Sequence, residues 1–423
     1  MESSLKAVDG RACVARCLAD SGRETGPWYL FAVGKAAPTM AAGARDALGE
    51  AIAGALVITK DGHCPPPGTS PKAVPGAAWP CLEAGHPRPD ARSLAAGERL
   101  LAFLDTLPAG APVLSLISGG ASALVEVLVP GVGLAELQRV NDWLLGSGLD
   151  IAAMNRVRSS LSRIKGGRLV EHLSGRRVVN LLISDVPGDR PEIIGSGLLI
   201  PPPAGGAAKA RPGAALPEWL ERLLTEAPTS NAAPPPTAAF ARVQTRIVAS
   251  NAEARAAAVT AARRMGLEAR DHGESLRGDA AACGAALAEA LCAGPPGLHV
   301  WGGETTVRLP EEPGRGGRNQ TLALAAARAL AGREDVWLLA LGTDGTDGPT
   351  EDAGALVDGG TVGRGEAQAL AADDCLARAD AGTFLDAAGD LIHTGPTGTN
   401  VMDIVIGFKG PPSGAVARGG HAL

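Results

Sequence analysis

The feature that most constrains the fold of this chain is a repeated alternation of apolar runs, Gly/Ser/Asp-rich loops and helix-like segments. Residues 28–33 form a short apolar run, and residues 36–48 have the spacing of a helix. The same order recurs at residues 112–117 and 177–184, where each apolar run ends in a loop of small and acidic residues. This pattern is typical of a parallel sheet with covering helices, so it predicts an α/β fold.

Two proline-rich stretches interrupt the alternation, at residues 201–217 and 228–236. Such segments are stiff and extended and suit a core poorly, so they indicate a domain boundary. The length of 423 residues fits two or three domains at roughly 150 residues each. We therefore predict an N-terminal domain over residues 1–232 and a smaller C-terminal α/β domain over residues 233–423.

Composition and charge exclude several classes of protein. A chain with 45% hydrophobic and 20% charged residues suits a folded globule, and a net charge of −6 disfavours a nucleic-acid binder. Residues 1–10 lack the apolar region of a secretory signal, and prolines and glycines break the uncharged run at residues 106–125, so no membrane span is expected. The 7 cysteines include no CxxC pair, which predicts reduced, scattered thiols in a cytoplasmic protein.

Small and charged residues concentrate in the loops that follow predicted strands. Ligands of open α/β sheets bind at the carboxyl ends of strands, so these loops are candidates for one site. Glycines let a backbone approach an anion closely, and the N–H groups at a helix start attract phosphate. A Gly-kinked connection is the structural alternative for each loop. The five loops are residues 34–37, 118–122, 184–189, 302–306 and 342–348.

The charged residues of these segments suit phosphoryl chemistry. Only 7 of the 39 basic residues are lysine, and Lys35 after a strand offers a compact charge for a phosphoryl oxygen. Lys165 invites the same interpretation, and Arg318 at a helix start suits a carboxylate or phosphate. Aspartate at a strand end can hold Mg²⁺ or accept a proton from a hydroxyl, with turn formation as the alternative. The aspartates are Asp185, Asp189, Asp344 and Asp347.

Several familiar motifs are absent from the sequence. There is no GxxxxGK[ST] loop, and no GxGxxG follows the first strand, so a standard dinucleotide site is unsupported. No GxSxG elbow exists for an esterase. The 7 histidines are dispersed without the spacing of a metal-binding helix. Each histidine is therefore expected to be structural or to lie on the surface.

Ordered sequence blocks between Phe31 and Phe408 resemble the class II glycerate 2-kinases, which carry a MOFRL-type C-terminal domain. They include VGKAAPTMA, LISGGASALVEV, NRVRSSLSRIKGGRL, LLISDVPGDRPEIIGSG, GRGGRNQTLALA and HTGPTGTNVMDIVIG. The resemblance implies a Rossmann-like N-terminal domain, a smaller C-terminal α/β domain and a site in the cleft between them. It also implies phosphoryl transfer from ATP to D-glycerate, giving 2-phosphoglycerate, with Mg²⁺.

The resemblance also implies roles for individual residues. Lys35 would meet the charge that develops on the γ-phosphoryl group, and Arg318 would do the same or hold the glycerate carboxylate. Asp185 would orient the 2-hydroxyl or hold Mg²⁺, with Asp189 and Asp344 as further metal candidates. The other implied contacts are Ser118, Gly119, Gly120, Ser122 and Lys165 for the nucleotide, and Asn155 and Arg158 for the substrate. Thr397 and Asn400 lie in a matching block without an assigned role.

The chain departs from the family pattern at three positions. Ser160 replaces a histidine, Leu198 stands in a block that usually reads SGPT, and Thr321 replaces a glutamate. Two alternatives to the kinase stay open. Similar sequences have been labelled hydroxypyruvate reductase, which would use NAD(P)H, and a non-catalytic binder of small phosphate compounds would use the same glycine loops.

Overall fold

The structure is a computed structural model, and it describes residues 1–20, 26–65, 79–149, 151–173, 175–202, 216–226 and 235–411. Contacts divide the chain into two compact units. We call them the parallel-sheet unit, which comprises Asp9–Ser250 and Gly398–Asn400, and the mixed-sheet unit, which comprises Met1–Val8, Asn251–Thr397 and the residues from Val401 onward. The predicted boundary between residues 232 and 233 lies outside the described residues.

Strands and helices alternate along most of the described chain. The strands are β1 (Trp28–Val33), β2 (Ile52–Lys60), β3 (Cys81–Ala84), β4 (Val113–Ile117), β5 (Val178–Ile183), β6 (Val243–Ala249), β7 (Ala269–Leu276), β8 (Gly297–Gly303), β9 (Val336–Gly342), β10 (Gly354–Asp358), β11 (Leu391–Ile392) and β12 (Asp403–Lys409). The helices are α1 (Glu2–Ala7), α2 (Gly10–Asp20), α3 (Ala37–Leu48), α4 (Ala91–Asp105), α5 (Ala121–Leu124), α6 (Leu134–Gly146), α7 (Ile151–Ser160), α8 (Glu218–Glu226), α9 (Asn251–Arg264), α10 (Ala280–Ala293), α11 (Arg318–Leu330), α12 (Thr361–Glu366), α13 (Ala372–Ala377) and α14 (Ala381–Ala388).

The sheet of the parallel-sheet unit has the strand order β3-β2-β1-β4-β5-β6, and every neighbouring pair runs parallel. This is the order of doubly wound nucleotide-binding domains, in which the winding direction reverses between the first and fourth strands. The predicted α/β fold with a Rossmann-like, parallel N-terminal sheet is confirmed. Val33 and Ile117 are partners at the carboxyl ends of β1 and β4, so the loops after these strands start side by side.

Strand β1 is apolar throughout because both of its faces are covered. Phe31 and Val33 join the core that contains Leu100 and Leu104 of α4. The alternate side chains of β1 point to the opposite face of the sheet, and α3 also contacts β1 and β2. Because helices cover both faces of the sheet, the strand ends are where loops can contact a ligand.

The mixed-sheet unit has the strand order β11-β10-β9-β12-β8-β7. Strands β7 and β8 pair in parallel, while the other neighbours are antiparallel. The continued alternation of strands and helices in the sequence does not show this, because β12 returns between β8 and β9 from far along the chain. As a result, Gly303 and Gly342 lie on either side of Asp403, where β8 and β9 end and β12 begins.

The expectation that all cysteines are reduced and scattered was wrong for one pair. Cys64 and Cys81 form a disulfide with an S–S distance of 2.10 Å and a Cα–Cα distance of 6.0 Å. Strands β2 and β3 are neighbours, so the loop after β2 returns Cys64 to the first residue of β3. The two cysteines are 17 positions apart, a separation with no recognisable motif.

The helices that the structure describes are short. The longest, α4, has 15 residues, whereas a transmembrane helix needs about 20. Within the described residues, no helix combines the length and apolar character needed to cross a bilayer.

Candidate functional site

The loops after β1 and β4 are held together through Ser118. The backbone N–H of Ala36 donates to Ser118 Oγ at 3.0 Å, and the N–H of Lys35 donates to the carbonyl oxygen of Gly119 at 2.9 Å. A Cβ on Gly34, which has a φ of +133°, would lie 2.2 Å from Ser118 Oγ. Only glycine permits this approach, so the sequence after β1 fixes Lys35 against the turn that follows β4.

The side chains of Lys35 and His86 both lie against Gly120. This glycine has a φ of +84° and precedes α5, and a Cβ placed on it would lie 3.3 Å from Lys35 Cγ and 3.0 Å from His86 Cδ2. A second histidine, His63, brings its Nδ1 to 3.2 Å from the carbonyl oxygen of Lys35. Two histidines that sequence spacing did not single out therefore lie beside the predicted catalytic lysine.

Asp185, which follows β5, approaches the same turn. A Cβ on Gly119 would lie 2.0 Å from Asp185 Oδ2 and 2.2 Å from Asn400 Nδ2, and the Asn400 amide donates to Asp185 Oδ2 at 3.4 Å. Asn400 belongs to the three-residue segment Gly398–Asn400, which packs with the parallel-sheet unit although its neighbours in sequence do not. No local sequence signal shows that this segment returns to Asp185.

The residues predicted to contact the substrate are linked to the same turn by hydrogen bonds. Ser122 Oγ lies 2.7 Å from Ser196 Oγ, and Ser196 donates to Asn155 Oδ1 at 3.3 Å. Arg158 donates to the same oxygen of Asn155 at 3.4 Å. Burial lowers the pKa of Arg158, with the Glu126 carboxylate opposing that shift, and an arginine still remains charged at neutral pH.

Lys165 is buried, with only 2% of its surface exposed. Its ammonium lies 2.5 Å from Glu126 Oε2 and donates to the carbonyl oxygen of Ser122 at 2.8 Å. This predicted nucleotide contact is therefore bound to a carboxylate and to the backbone behind the turn.

Asp189 has one buried oxygen that fits a metal ion. Its φ is 50°, and its Oδ1 accepts no hydrogen bond from the described part of the chain. Mg²⁺ bound with a nucleotide takes only one or two protein carboxylates, the remaining ligands being phosphate and water oxygens. Among the residues with a described position, no group of three or more His, Cys, Asp or Glu side chains is arranged to hold a metal ion.

Arg318 begins α11 in the mixed-sheet unit and is held by two carboxylates. Its Nε and Nη2 donate to the two oxygens of Asp403 at 2.6 and 3.0 Å, and its Nη1 lies 2.5 Å from Glu304 Oε1. Asp403 is buried, while 35% of the Arg318 side chain is exposed. Burial by itself would lower the pKa of Arg318, but the two carboxylates hold it above the ordinary value.

Two aspartates near Arg318 have local hydrogen-bonding roles. Asp347 accepts the backbone N–H groups of Asn319 at 3.0 Å and Gln320 at 2.8 Å, so it caps α11. Burial raises the pKa of Asp347 to about 6, although these two N–H groups act in the opposite direction. Asp344 Oδ1 accepts the N–H and the hydroxyl of Thr346, both at 3.0 Å, as a turn-forming aspartate does.

Most of the predicted site residues thus meet in the parallel-sheet unit, around the reversal between β1 and β4. Arg318 and Asp344 belong to the mixed-sheet unit, where Arg318 contacts Asp403 at the beginning of β12.

Two family models match the chain. One is described as a domain of unknown function, DUF4147, and covers residues 1–212, and the other is the MOFRL family, which covers residues 297–403.

Similarity to individual proteins extends over nearly the whole chain. A D-glycerate 2-kinase of Thermotoga maritima is 37% identical over 392 residues, which cover 90% of each protein. A protein of Agrobacterium vitis with a provisional hydroxypyruvate reductase name is 35% identical over 95% of this chain and 91% of its own. A crystal structure of a Thermotoga maritima glycerate kinase superposes with a TM-score of 0.80 and 34% identity, covering 96% of this chain and 97% of the other. The chain therefore belongs to the MOFRL-type glycerate 2-kinase family of enzymes.

Proposed function

We propose that the protein transfers the γ-phosphoryl group of ATP to the 2-hydroxyl of D-glycerate, giving 2-phosphoglycerate. The observation that carries this proposal is the meeting of Lys35, the Gly119-Gly120 turn and Asp185 where the strand order reverses. Doubly wound sheets bind nucleotides at such a reversal. The names of the relatives supply the acceptor, glycerate.

The turn after β4 suits a chain of phosphates. Gly119 lets the Asp185 carboxylate approach the turn closely, Gly120 does the same for Lys35, and Ser122 adds a hydroxyl. Lys35 supplies positive charge beside Gly120. We infer that this turn holds the phosphates and that Lys35 compensates the charge that spreads over the γ-phosphoryl oxygens during transfer.

Asp185 is our candidate to orient the attacking hydroxyl. In the transfer, the glycerate 2-oxygen forms a bond to the γ-phosphorus while the bond from that phosphorus to the bridging oxygen breaks, and the hydroxyl proton passes to a carboxylate. Asn400 fixes Asp185 from one side by donating to its Oδ2. This hydrogen bond directs the Asp185 carboxylate, as a proton acceptor requires.

We infer that magnesium binds through Asp189, whose buried oxygen lacks a hydrogen-bond donor among the described residues. Asp185 is the second candidate ligand. Asp344, which belongs to the mixed-sheet unit, is a separate candidate. Bound with ATP, the ion would neutralise charge on the phosphates.

We assign binding of anionic groups to the two arginines. Arg318 is oriented by Asp403 and Glu304 and is our candidate for the glycerate carboxylate or for phosphoryl charge. Arg158, linked to Asn155, is a candidate for substrate contact.

A reductase acting on hydroxypyruvate is the second candidate, because the strand order also occurs in dinucleotide-binding domains. The sequence after β1 lacks the GxGxxG fingerprint. In its place, Gly34 packs on Ser118, and Lys35 lies along Gly120. A lysine in this turn suits a terminal phosphoryl group better than a dinucleotide pyrophosphate, so we favour the kinase.

Product identification by NMR tests the proposal. The protein is incubated with D-glycerate and Mg-ATP, and separately with hydroxypyruvate and NADH or NADPH. We expect 2-phosphoglycerate in the first reaction and no loss of reduced cofactor in the second. Formation of 3-phosphoglycerate would contradict the position of transfer. ATP binding without any product would instead support the non-catalytic binder.

A further inference from the structure

The most deeply buried ion pair near the proposed site joins Glu126, which lies just beyond α5, to Lys165. Their side chains are 1% and 3% exposed. The Glu126 carboxylate also accepts the Ser162 hydroxyl at 2.5 Å and the backbone N–H of Val127 at 3.0 Å. With three donors, this buried charge is well satisfied, as a stable buried pair requires.

The ion pair reaches the phosphate-binding turn through Ser122. The Lys165 ammonium donates to the Ser122 carbonyl oxygen at 2.8 Å, and the Ser122 hydroxyl lies 2.7 Å from the Ser196 hydroxyl. Ser196 is itself tied to the lysine segment, because the N–H of Gly166 donates to its carbonyl oxygen at 2.9 Å. Lys165 therefore holds the backbone of Ser122 directly, and Gly166 is linked to the side chain of Ser122 through Ser196.

The same segment also connects to the residues proposed to contact the substrate. Ser196 donates to Asn155, which in turn accepts a hydrogen bond from Arg158. A displacement of Lys165 would be transmitted to the turn at Ser122 and, through Ser196, to Asn155.

We propose that Glu126 and Lys165 are positioning residues, whose buried ion pair fixes Ser122 and with it the Gly119–Ser122 turn that binds the nucleotide phosphates. The proposal rests on the function proposed above. Lys165 acts here through the backbone of Ser122, since Glu126 already neutralises its charge. A purely structural ion pair is the competing explanation, and it predicts that any neutral pair that restores stability also restores binding.

Charge-neutral variants separate the two explanations. Glu126→Gln and Lys165→Met each leave one buried charge unpaired, whereas the double variant removes both charges at similar side-chain volume. The measurements are urea unfolding, the Kd of Mg-ATP by calorimetry, and KM and kcat with glycerate. Leu104→Ala serves as the control, because Leu104 lies in the core near the end of α4 and its apolar side chain takes no part in the hydrogen bonds of this network.

We expect each single variant to be less stable and the double variant to regain most of the lost stability. The double variant should still bind Mg-ATP about tenfold more weakly, since no group replaces the ammonium on the Ser122 carbonyl. Its KM for ATP should rise more than its kcat falls. The Leu104→Ala control should lose stability and keep its Kd.

A double variant that regains both stability and the Kd of the parent protein would overturn the proposal. If the double variant does not fold, the Kd of Glu126→Asp tests the proposal instead. Its shorter side chain draws Lys165 away from Ser122 while keeping the negative charge. An unchanged Kd in folded Glu126→Asp would equally overturn it. A parent protein that binds Mg-ATP but does not phosphorylate glycerate would contradict the proposed function alone, and Kd would still report on the ion pair.

Discussion

Asp403 and Arg318 form a bidentate ion pair in which each carboxylate oxygen accepts a hydrogen bond from one guanidinium nitrogen, at 2.6 and 3.0 Å. Asp403 begins β12 and Arg318 begins α11, so the pair aligns the first residue of a helix with a central strand. Planar two-point contact of this kind fixes the direction of the guanidinium group as well as its place. Arg318 therefore presents a charge whose orientation does not depend on a ligand.

The first prediction concerns Asp403→Asn. The amide would turn an N–H₂ group toward one guanidinium donor, so one hydrogen bond is lost and Arg318 loses its orientation. We expect kcat/KM with glycerate and ATP to fall by at least about tenfold. The unfolding free energy should fall by about 2 kcal/mol, less than for a fully buried pair because Arg318 is partly exposed. Asp373→Asn, which breaks an exposed pair with Arg328, should change neither quantity measurably.

The second prediction concerns Lys35→Ala. If Lys35 compensates charge on the transferring phosphoryl group, kcat should fall by about 10²–10³-fold, the scale for loss of one preorganised charge. The circular dichroism spectrum and the urea midpoint should stay close to those of the parent, because Lys35 belongs to a loop. Lys6→Ala, at an exposed position in α1, is the control. A folded Lys35→Ala protein with normal turnover would remove Lys35 from the mechanism.

The third prediction concerns Gly119→Ala. The new methyl group would collide with Asp185 Oδ2 and Asn400 Nδ2, which lie 2.0 and 2.2 Å from its position. Both side chains must move, so we expect at least a hundredfold loss of kcat/KM, on the order of the cost of misplacing a reacting group by about 1 Å. Gly146→Ala places a methyl group where nothing lies within 4 Å and should leave the kinetic constants unchanged.

Local patterns were sufficient to predict the central elements of both sheets. The apolar run at residues 28–33 became β1, and the helix expected over residues 36–48 begins at Ala37. The glycine loops after β1 and β4 were recognised because glycines at strand ends let the backbone approach an anion closely. Strand β7 was missed because its sequence, ARDHGESL, is largely polar and half-exposed at the edge of its sheet.

Features that depend on distant pairing could not be predicted. Glu126 and Lys165 are 39 positions apart, and the insertion of β12 between β8 and β9 is set by packing rather than by the sequence of β12. The return of Asn400 to Asp185 likewise depends on the path of the whole chain. Asp347 looked like a turn residue or a metal ligand, and only the position of α11 shows that it caps a helix.

The fourth prediction concerns the Cys64–Cys81 disulfide. Peptide mapping of oxidised, non-reduced protein should recover the two cysteines in one linked peptide. A disulfide that closes a loop of about this length stabilises a protein by about 3 kcal/mol, so Cys64→Ser with Cys81→Ser should lower the unfolding free energy by a similar amount. Reducing agent should bring the parent protein to the value of this double variant and leave the variant itself unchanged. Cys17→Ser, at a cysteine outside the disulfide, is the control.

The last prediction follows from the cap on α11. Burial raises the pKa of Asp347 from 3.8 to about 6, so the folded protein keeps this proton over a pH range in which the unfolded chain has released it. The contribution of Asp347 to stability therefore falls as the pH rises from about 4 to about 6, by on the order of 3 kcal/mol in total. Asp347→Asn does not titrate, so the difference in unfolding free energy between the parent and this variant should change with pH across that window and be constant above about pH 7.

Any fixed loss of capping in the variant shifts the whole difference curve without altering its slope, which keeps the effect of capping separate from the effect of titration. A difference that stays constant from pH 4 to 7 would mean that the carboxyl group titrates at an ordinary pKa and that the two N–H groups of α11 fully offset its burial.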